Sequence, residues 1–433
     1  MADCAYNARQ IIEVLRGAAA AGAEIACLPE LCITGYTCGD LFFQLVLQQG
    51  ARDALADVLR DTAGLSLLFV LGLPLTHGGK LYNCAAVCQN GRVLGVVPKT
   101  HLPNYNEFYE KRQFTPAPAE NGVIDLSGAQ VPFGTNLLFQ CGTQPALTLA
   151  VEICEDLWAP LPPSTRHAMA GATLICNLSA SDETIGKAEY RRALVTGQSA
   201  RLLCGYVYAD AGEGESTTDM VFAGHNMVAE NGALLAETAP FCGGMALTDI
   251  DVERLAGERL KNTSFPAEDN ANYEVIPFVL PQNVSPLTRI VSSAPFVPAD
   301  AEQRARRCDA ILAMQASGLK KRLEHTHAKT AVVGISGGLD SCLALLVTVR
   351  AFSLLERPLS DIVAVTMPCF GTTERTRTNA QRLCEALSVT LQHVDITQTV
   401  RSNFADIGQD EARHDVTYEN TQARMRTLVL MNL

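Results

Sequence analysis

The chain has 433 residues, of which 48% are hydrophobic and 18% charged, and its formal net charge is −12 at pH 7. The composition is typical of globular proteins, and the length exceeds what one ordinary hydrophobic core holds, so two domains are expected. An acidic surface argues against nucleic acid as the main partner, because phosphate binding requires a basic face.

The first 264 residues alternate helical patterns with apolar strands. Helical patterns cover 7–21, 44–61, 163–170 and 187–202. Apolar strands are predicted at 23–31, 66–74, 147–158, 172–181 and 203–212. Two hairpins are predicted with turns at Asn90-Gly91 and Asn231-Gly232, because Asn-Gly favours a two-residue hairpin loop. The alternation predicts a mixed α/β domain in which helices cover a sheet, in two stacked layers.

A proline-rich stretch at 265–300 separates this part of the chain from the rest. It shows no clear period and is interpreted as a linker that wraps over the surface. A helix begins near Ala301, and strands and helices then alternate. The strands begin at Thr330, Asp361 and Thr390. This βαβαβ run predicts a parallel doubly wound sheet, so the predicted domains are 1–264 and 301–433.

The fifteen cysteines are scattered through apolar stretches and form no CxxC pair. The CAAVC run at 84–88 has the wrong spacing for a typical zinc site, and no histidine cluster accompanies it. We therefore expect buried thiols in a reducing compartment. Because no signal peptide and no bilayer-length apolar run is found, the sequence predicts a cytoplasmic protein without a membrane partner.

Three apolar strands of the first domain each end in one reactive group: Glu30, Lys99 and Cys154. Loops at strand ends carry chemistry because the sheet positions them rigidly. A carboxylate can take the proton of a thiol, the thiolate can attack a carbonyl, and an ammonium can stabilise the resulting oxyanion. The alternative for each residue alone is structural: Glu30 as a helix cap, Lys99 as a surface charge and Cys154 in the core.

The sequences around these residues, LPELCITGY, VPKTHLPNYNEFYEKRQF and VEICEDLW, resemble three signature blocks of the nitrilase superfamily in order and spacing. They are most similar to the glutaminase domain of the glutamine-dependent NAD synthetase family. The resemblance implies an α-β-β-α sandwich for the first domain. It also implies that Glu30 is the general base, Lys99 the oxyanion stabiliser and Cys154 the nucleophile, while Glu110 helps to orient the set.

The same resemblance implies a glutamine-binding site. Tyr105, Ser181 and Lys187 match the positions that hold glutamine in that family. Glu155 and Trp158 belong to the CEDLW sequence that contains the cysteine. They either line the glutamine pocket or form a buried turn that supports Cys154, and the sequence leaves both interpretations open.

The sequence GISGGLDS follows an apolar strand and begins a helix. It resembles the ATP-pyrophosphatase loop of the same family. The residues of this candidate ATP loop are Gly334, Ile335, Ser336, Gly337, Gly338, Leu339, Asp340 and Ser341. Free backbone N–H groups and the positive end of the helix dipole suit phosphates, although the lysine of a Walker A loop is missing. Asp340 suits Mg²⁺, and the structural alternative is a strand–helix turn capped by Ser341.

Near the C-terminus, YENTQARMRTLVLMNL resembles the segment that contacts deamido-NAD in the family. The position that the resemblance assigns to this ligand is Asn420. Its alternative role is a helix N-cap, which asparagine favours. Arg424 and Arg426 can also meet an anionic dinucleotide, but residues two apart do not share a helix face, so at most one is expected to do so.

The resemblance implies a homo-oligomeric ligase that hydrolyses glutamine, passes ammonia through a sealed passage and amidates deamido-NAD with MgATP. Two alternatives are a stand-alone carbon–nitrogen hydrolase with a non-functional synthetase remnant and a non-catalytic oligomeric scaffold. A third is another amidotransferase with the same ATP loop, which ranks low because its glutaminase domain differs from the blocks seen here.

The chain is also expected to be shorter than the family pattern at both ends. A strand is expected before the sequence DCAYN, and the rest of the synthetase domain is expected after Leu433. We therefore expect the chain as given to retain at most the glutaminase half of the activity.

Overall fold

A computed structural model of the chain describes residues 1–215, 220–281, 287–370 and 374–433. The chain divides into two compact units, Met1–Ile290 and Val291–Leu433. Within the described residues, no helix is long and apolar enough to cross a membrane.

Two β-sheets form the centre of the first unit. The described part of the first sheet has six strands: β1 (Ile25–Cys27), β2 (Leu68–His77), β3 (Lys80–Gln89), β4 (Arg92–Pro98), β5 (Gly122–Leu126) and β6 (Ala129–Phe133), in the order β1-β2-β3-β4-β6-β5. The described part of the second sheet has seven: β7 (Leu137–Cys141), β8 (Thr148–Ile153), β9 (Leu174–Ser179), β10 (Gly205–Asp210), β11 (Met227–Glu230), β12 (Ala233–Glu237) and β13 (Glu274–Phe278), in the order β12-β11-β10-β9-β8-β7-β13.

Helices cover the outer faces of both sheets. The α-helices described in this unit are α1 (Cys4–Ala20), α2 (Leu45–Thr62), α3 (Glu155–Trp158), α4 (Pro163–Met169), α5 (Lys187–Leu202) and α6 (Val252–Lys261). Because side chains alternate along a strand, Val70 of β2 packs between the sheets with Val151 of β8, whereas Leu71 faces Leu15 of α1. The second sheet similarly packs against α4 and α5. The result is the α-β-β-α sandwich that the resemblance implies.

Both predicted Asn-Gly hairpins are present. The β3–β4 turn has Asn90 at φ 51° and Gly91 at φ 72°, and the β11–β12 turn has Asn231 at φ 46° and Gly232 at φ 83°. Two successive positive φ angles are the signature of the type I′ turn, whose twist matches that of paired strands. The local sequence therefore determines these two connections.

The interpretation of 265–300 as a linker that wraps over the surface does not account for one segment. Residues Glu274–Phe278 form β13, which pairs in parallel with β7 along its whole length. Four of its five residues are at least partly exposed, so no buried apolar pattern marks it, and its partner lies far away in sequence. Residues 282–286 of the predicted linker lie outside the described residues. The β5–β6 hairpin, β7 and α6 were also not predicted.

The second unit contains a parallel sheet with helices on both faces. Its described strands, β14 (Ala331–Gly334), β15 (Ile362–Thr366) and β16 (Thr390–His393), lie in that order and pair in parallel. Its described α-helices are α7 (Ala301–Thr326), α8 (Leu339–Leu354), α9 (Glu374–Leu387), α10 (Thr397–Ile407) and α11 (Val416–Asn432). Helices α7 to α9 pack with Ala364 of β15, and α10 and α11 pack with Val365 on the opposite face. The predicted doubly wound arrangement is therefore confirmed.

Candidate active site

Cys154 lies at a sharp turn between a strand and a helix. Strand β8 ends at Ile153, α3 begins at Glu155, and Cys154 between them has φ 44° and ψ −97°. Its N–H donates to the Leu178 carbonyl at 2.9 Å and to Asn177 Oδ1 at 3.1 Å. A positive φ in a residue with a side chain is strained and persists only where the surroundings enforce it. These two hydrogen bonds to β9 help to hold the thiol at the end of the sheet.

Glu30 follows β1 and is held by three donors. Its Oε1 accepts from Lys99 Nζ and Asn83 Nδ2, both at 2.6 Å, and its Oε2 accepts from the Ala180 N–H at 3.0 Å. A side chain at Gly72 of β2 would collide with the backbone of this turn. The close approach of β2 therefore requires glycine there, and the carboxylate is buried in a fixed orientation.

Lys99 follows β4 and bridges two carboxylates. Its ammonium lies 2.6 Å from Glu30 Oε1 and 2.7 Å from Glu110 Oε1, and its side chain is fully buried. Glu110 Oε1 also accepts from the Tyr36 hydroxyl at 2.6 Å. The arrangement excludes the surface-charge interpretation of Lys99, because a fully buried ammonium requires such partners.

The charges of this cluster act on one another. Burial raises the pKa of Glu30 to about 7, against the opposing effect of Lys99. Burial lowers the pKa of Lys99, but the carboxylates of Glu110 and Glu30 outweigh it, and the pKa lies well above the usual lysine value. Burial and the charge of Glu30 raise the pKa of Cys154, which Lys99 opposes. Glu30 and Lys99 therefore form one buried ion pair, and the charges of both act on the buried Cys154 thiol.

Two of the predicted glutamine-binding side chains, Tyr105 and Lys187, have polar partners in the structure. The Tyr105 hydroxyl donates to Glu155 at 2.9 Å. Lys187 forms an ion pair with Asp182, and its ammonium lies 5.5 Å from the ring centres of Phe108 and of Trp158. Burial raises the pKa of Glu155, against the opposing effects of the Tyr105 hydrogen bond and of the charges on Lys99 and Lys187. Tyr105 and Lys187 therefore both contact residues of the CEDLW segment, while their assignment to glutamine stays a prediction.

Ser181 is buried and held from two sides. Its N–H donates to Asp210 Oδ1 at 2.8 Å, and its hydroxyl accepts from Arg191 Nη2 at 3.1 Å. Arg191 is fully buried and also donates to Glu183 at 2.9 Å. The Ser181 hydroxyl also donates to the Asp182 carbonyl at 3.4 Å, a long hydrogen bond that leaves the proton able to turn to another acceptor.

Several residues of the site were missed by sequence reasoning. Tyr36 ends the LPELCITGY block and Asp156 lies inside CEDLW, so both stand in sequences that were already singled out. Asn83 and Arg191 carry no local signal, because their partners lie on other strands and loops of the fold.

The candidate ATP loop joins β14 to α8 in the second unit. Gly337 has φ 82°, and Gly338 is the N-cap of α8. The hydroxyls of Ser336 and Ser341 lie 3.2 Å apart, and Ser341 Oγ donates to the Gly338 carbonyl at 3.0 Å. The alternative role of Ser341 as the N-cap is therefore wrong. Among the described residues, no group of three His, Cys, Asp or Glu side chains could hold a metal ion.

Asn420 lies on the exposed surface of α11, inside the helix. The N-cap of this helix is Asp415, whose carboxylate accepts from the N–H groups of Thr417 at 3.0 Å and Tyr418 at 3.2 Å. The alternative interpretation of Asn420 as an N-cap is therefore wrong. Its assignment to deamido-NAD stays a prediction.

Comparison with protein families gives a direct match for the first unit. The carbon-nitrogen hydrolase family model matches residues 1–259, which is more than half of the chain. The chain belongs to the carbon–nitrogen hydrolase family. The NAD synthase family model matches residues 311–433. This member of the family therefore combines a hydrolase domain with a synthase-like one.

Relatives with the same combination are named as NAD synthetases. The glutamine-dependent NAD(+) synthetase of Mycobacterium tuberculosis (strain H37Rv) is 44% identical over the whole chain, which spans 66% of that relative. The Mycobacterium leprae protein of the same name is 42% identical, and the chain spans 65% of it. The resemblance inferred from the sequence is confirmed.

A solved structure shows the same fold. It is the glutamine-dependent NAD+ synthetase from Acinetobacter baumannii in complex with ADP, with a TM-score of 0.50 and 24% sequence identity. The match covers 100% of this chain and 70% of that one.

Proposed function

We propose that the chain carries the two active sites of a glutamine-dependent NAD(+) synthetase, and that its first unit releases ammonia from glutamine. The observation that carries the first half is the buried Lys99 ammonium, held by Glu30 and Glu110 beside the Cys154 thiol. The second half is supported by the match to the NAD synthase family and by the loop that begins α8. The identity to named synthetases supports the pairing of the two.

In the proposed first step, Glu30 takes the proton of Cys154 as the sulfur attacks the side-chain carbonyl of glutamine. Lys99 stabilises the oxyanion with its positive charge, which Glu30 and Glu110 hold in a fixed position before the reaction begins. Ammonia departs with the proton from Glu30, and a glutamyl thioester remains. Water activated by Glu30 then releases glutamate and restores the thiol.

Glu110 has a second proposed role in holding the substrate amide. Its Oε1 is occupied by Lys99 and Tyr36, whereas its Oε2 is buried and has no hydrogen-bond partner among the described residues. A buried carboxylate oxygen without a donor is costly. An N–H of the glutamine amide would supply that donor and turn the carbonyl carbon toward Cys154.

The charged ends of glutamine are assigned to the other predicted residues. Glu155 and the Tyr105 hydroxyl suit the α-ammonium, and Lys187 with the Ser181 hydroxyl suits the α-carboxylate. This division follows the charge of each group, since an ammonium needs acceptors and a carboxylate needs donors.

The second unit is proposed to bind MgATP and deamido-NAD. The N-terminus of α8 faces the phosphates, Asp340 contributes a carboxylate to the Mg²⁺ that ATP brings, and Asn420 contacts deamido-NAD. Transfer of AMP to the nicotinate carboxylate releases pyrophosphate, and ammonia then displaces AMP to give NAD. We further propose that the enzyme acts in the cytoplasm as a homo-oligomer that channels ammonia.

The test is a product assay with the 433-residue chain. Glutamine alone should yield glutamate and ammonia, and a glutamine-analogue electrophile should add to Cys154 by intact mass. The absence of both results would contradict the proposed glutaminase activity and favour the non-catalytic scaffold. Pyrophosphate release from ATP that requires deamido-NAD supports the second half, whereas glutamine hydrolysis unaffected by ATP and deamido-NAD favours a stand-alone hydrolase. Formation of NAD by this chain would support both proposed active sites together, and would contradict the expectation that it retains at most the glutaminase half of the activity.

Replacing Tyr105 by phenylalanine is expected to weaken glutamine binding. The variant loses the hydroxyl that donates to Glu155, so KM for glutamine should rise by about 5- to 10-fold while kcat changes little. Steady-state kinetics of glutamate release measure both constants. Tyr109→Phe is the matched control, because Tyr109 is similarly exposed, at 58% against 51%. An unchanged KM for Tyr105→Phe would remove Tyr105 from the glutamine site.

A further inference from the structure

The buried carboxylate of Asp156 connects the segments that follow Lys99 and precede Cys154. Asp156 is 2% exposed. Its Oδ1 accepts from the His101 N–H at 2.7 Å, and its Oδ2 accepts from the N–H groups of Ile153 at 3.0 Å and Thr100 at 3.4 Å. One side chain therefore contacts the backbone on both sides of the candidate site.

No strand pairing among the described residues joins these two segments. Strand β4, which ends before Lys99, belongs to the six-stranded sheet, whereas β8, which ends before Cys154, belongs to the seven-stranded sheet. Side-chain packing between sheets restrains their separation but has little directional preference. Glu30 is joined to the second sheet separately, through its N–H to the Ser179 carbonyl at 3.3 Å and its carboxylate to Ala180. Asp156 supplies the corresponding directional link for Lys99.

We propose that Asp156 is a positioning residue that fixes Lys99 relative to Cys154, so that both act on the same substrate carbonyl. The proposal rests on the proposed glutaminase function. Asp156 itself touches no reacting atom, since its two oxygens are directed at backbone N–H groups. Its contribution is to place the oxyanion stabiliser and the nucleophile at one fixed separation, where an error of about 1 Å costs about 100-fold in rate.

A carboxylate is the side chain that this position requires. Both oxygens must accept, and the Asn side chain offers only one acceptor because its other terminal atom is a donor. In Asp156→Asn, either amide orientation leaves a backbone donor facing an NH₂ group. One orientation releases His101, and the other releases Ile153 together with Thr100. Each case weakens the link between the two segments: the first keeps only the 3.4 Å bond from Thr100, and the second keeps only the bond from His101.

The experiment compares Asp156→Asn with Glu230→Gln. Glu230 is also a buried carboxylate that accepts from a backbone N–H, but its described partners are Asp251, Arg289 and Arg254. We expect kcat for glutamine to fall by about 100-fold in Asp156→Asn with KM changed by less than about threefold. Both constants should stay near wild type in Glu230→Gln. A wild-type kcat in Asp156→Asn would overturn the proposal.

A second readout does not depend on glutamine. The rate at which iodoacetamide alkylates Cys154 follows the thiolate fraction, which a nearby ammonium increases. Displacing Lys99 should move the pH profile of this rate upward by at least about half a pH unit in Asp156→Asn. If Asp156→Asn loses thermal stability but keeps the wild-type pH profile of alkylation, Asp156 has only a structural role and the proposal fails. If the wild type alkylates normally but does not hydrolyse glutamine, the proposed function fails while this readout still tests Asp156.

Hydrogen exchange on the wild type covers the case in which Asp156→Asn does not fold. The His101 N–H donates to Asp156 and should exchange at least about 100-fold more slowly than an unstructured amide. Exchange of His101 at the unprotected rate would show that the carboxylate does not hold this segment, and would overturn the proposal.

Discussion

Glutamine hydrolysis is expected to fall by on the order of 10⁴-fold or more when Cys154 is replaced by alanine. The sulfur forms the bond to the substrate carbonyl in the proposed mechanism, and neither Glu30 nor Lys99 can substitute for it as a nucleophile. Cys154 also has the strained backbone that presents its side chain at the end of β8. Core packing alone does not explain this strain, because a cysteine that only fills a core can do so with an ordinary backbone conformation.

The measurement is glutamate release under saturating glutamine, together with intact mass after treatment with a glutamine-analogue electrophile. Cys88→Ala is the control, because Cys88 is fully buried in β3 and removal of its sulfur creates a comparable small cavity. The control should keep its activity and its adduct. Glutamate release by Cys154→Ala within tenfold of wild type would contradict the assignment of the nucleophile.

Local sequence was sufficient to predict the parts of the fold that short-range physics determines. The Asn-Gly turns require positive φ at two successive residues, so the hairpins could be predicted without knowing the fold. The βαβαβ alternation of the second unit was equally readable. In contrast, β13 depends on pairing with β7, from which it is separated by more than 130 residues, and a short, mostly exposed strand leaves no local pattern.

The residues of the candidate site also differ in whether the local sequence could predict them. Glu30, Lys99 and Cys154 each follow a buried strand, so their chemistry could be inferred from position and residue type. The groups that orient them could not, because Asn83 reaches Glu30 from within β3 and Ala180 reaches it from the residue after β9. Asp156 has the same character: its partners Thr100 and His101 lie 55 or more residues away. Sequence position identifies the reactive groups, and the fold supplies their partners.

Replacing Lys99 by methionine is expected to reduce glutamine hydrolysis by about 10³-fold. Methionine keeps a long apolar side chain but removes the charge that stabilises the oxyanion. It also leaves Glu30 and Glu110 buried without their common cation. Losing one partner of a buried ion pair typically costs about 3–5 kcal/mol of folding free energy. Lys80→Met is the control, since Lys80 is an exposed lysine at the start of β3.

The stability loss should depend on pH in a defined direction. Burial already raises the pKa of Glu30 to about 7, and Lys99 opposes that rise, so the pKa of Glu30 increases further in the variant. A carboxyl group whose pKa is higher in the folded than in the unfolded state loses stability as pH rises toward the folded value. The difference between Lys99→Met and wild type should therefore be larger near about pH 9 than near about pH 6.

Urea unfolding followed by tryptophan fluorescence measures this difference. Trp158 is the single tryptophan of the chain and lies in the first unit, beside the candidate site. The signal therefore reports on the unit that contains Lys99. A stability loss of equal size at both pH values would mean that the charge of Glu30 does not depend on Lys99. Activity of Lys99→Met within tenfold of wild type would exclude the ammonium as the oxyanion stabiliser, and the proposed mechanism would then lose its electrophilic component.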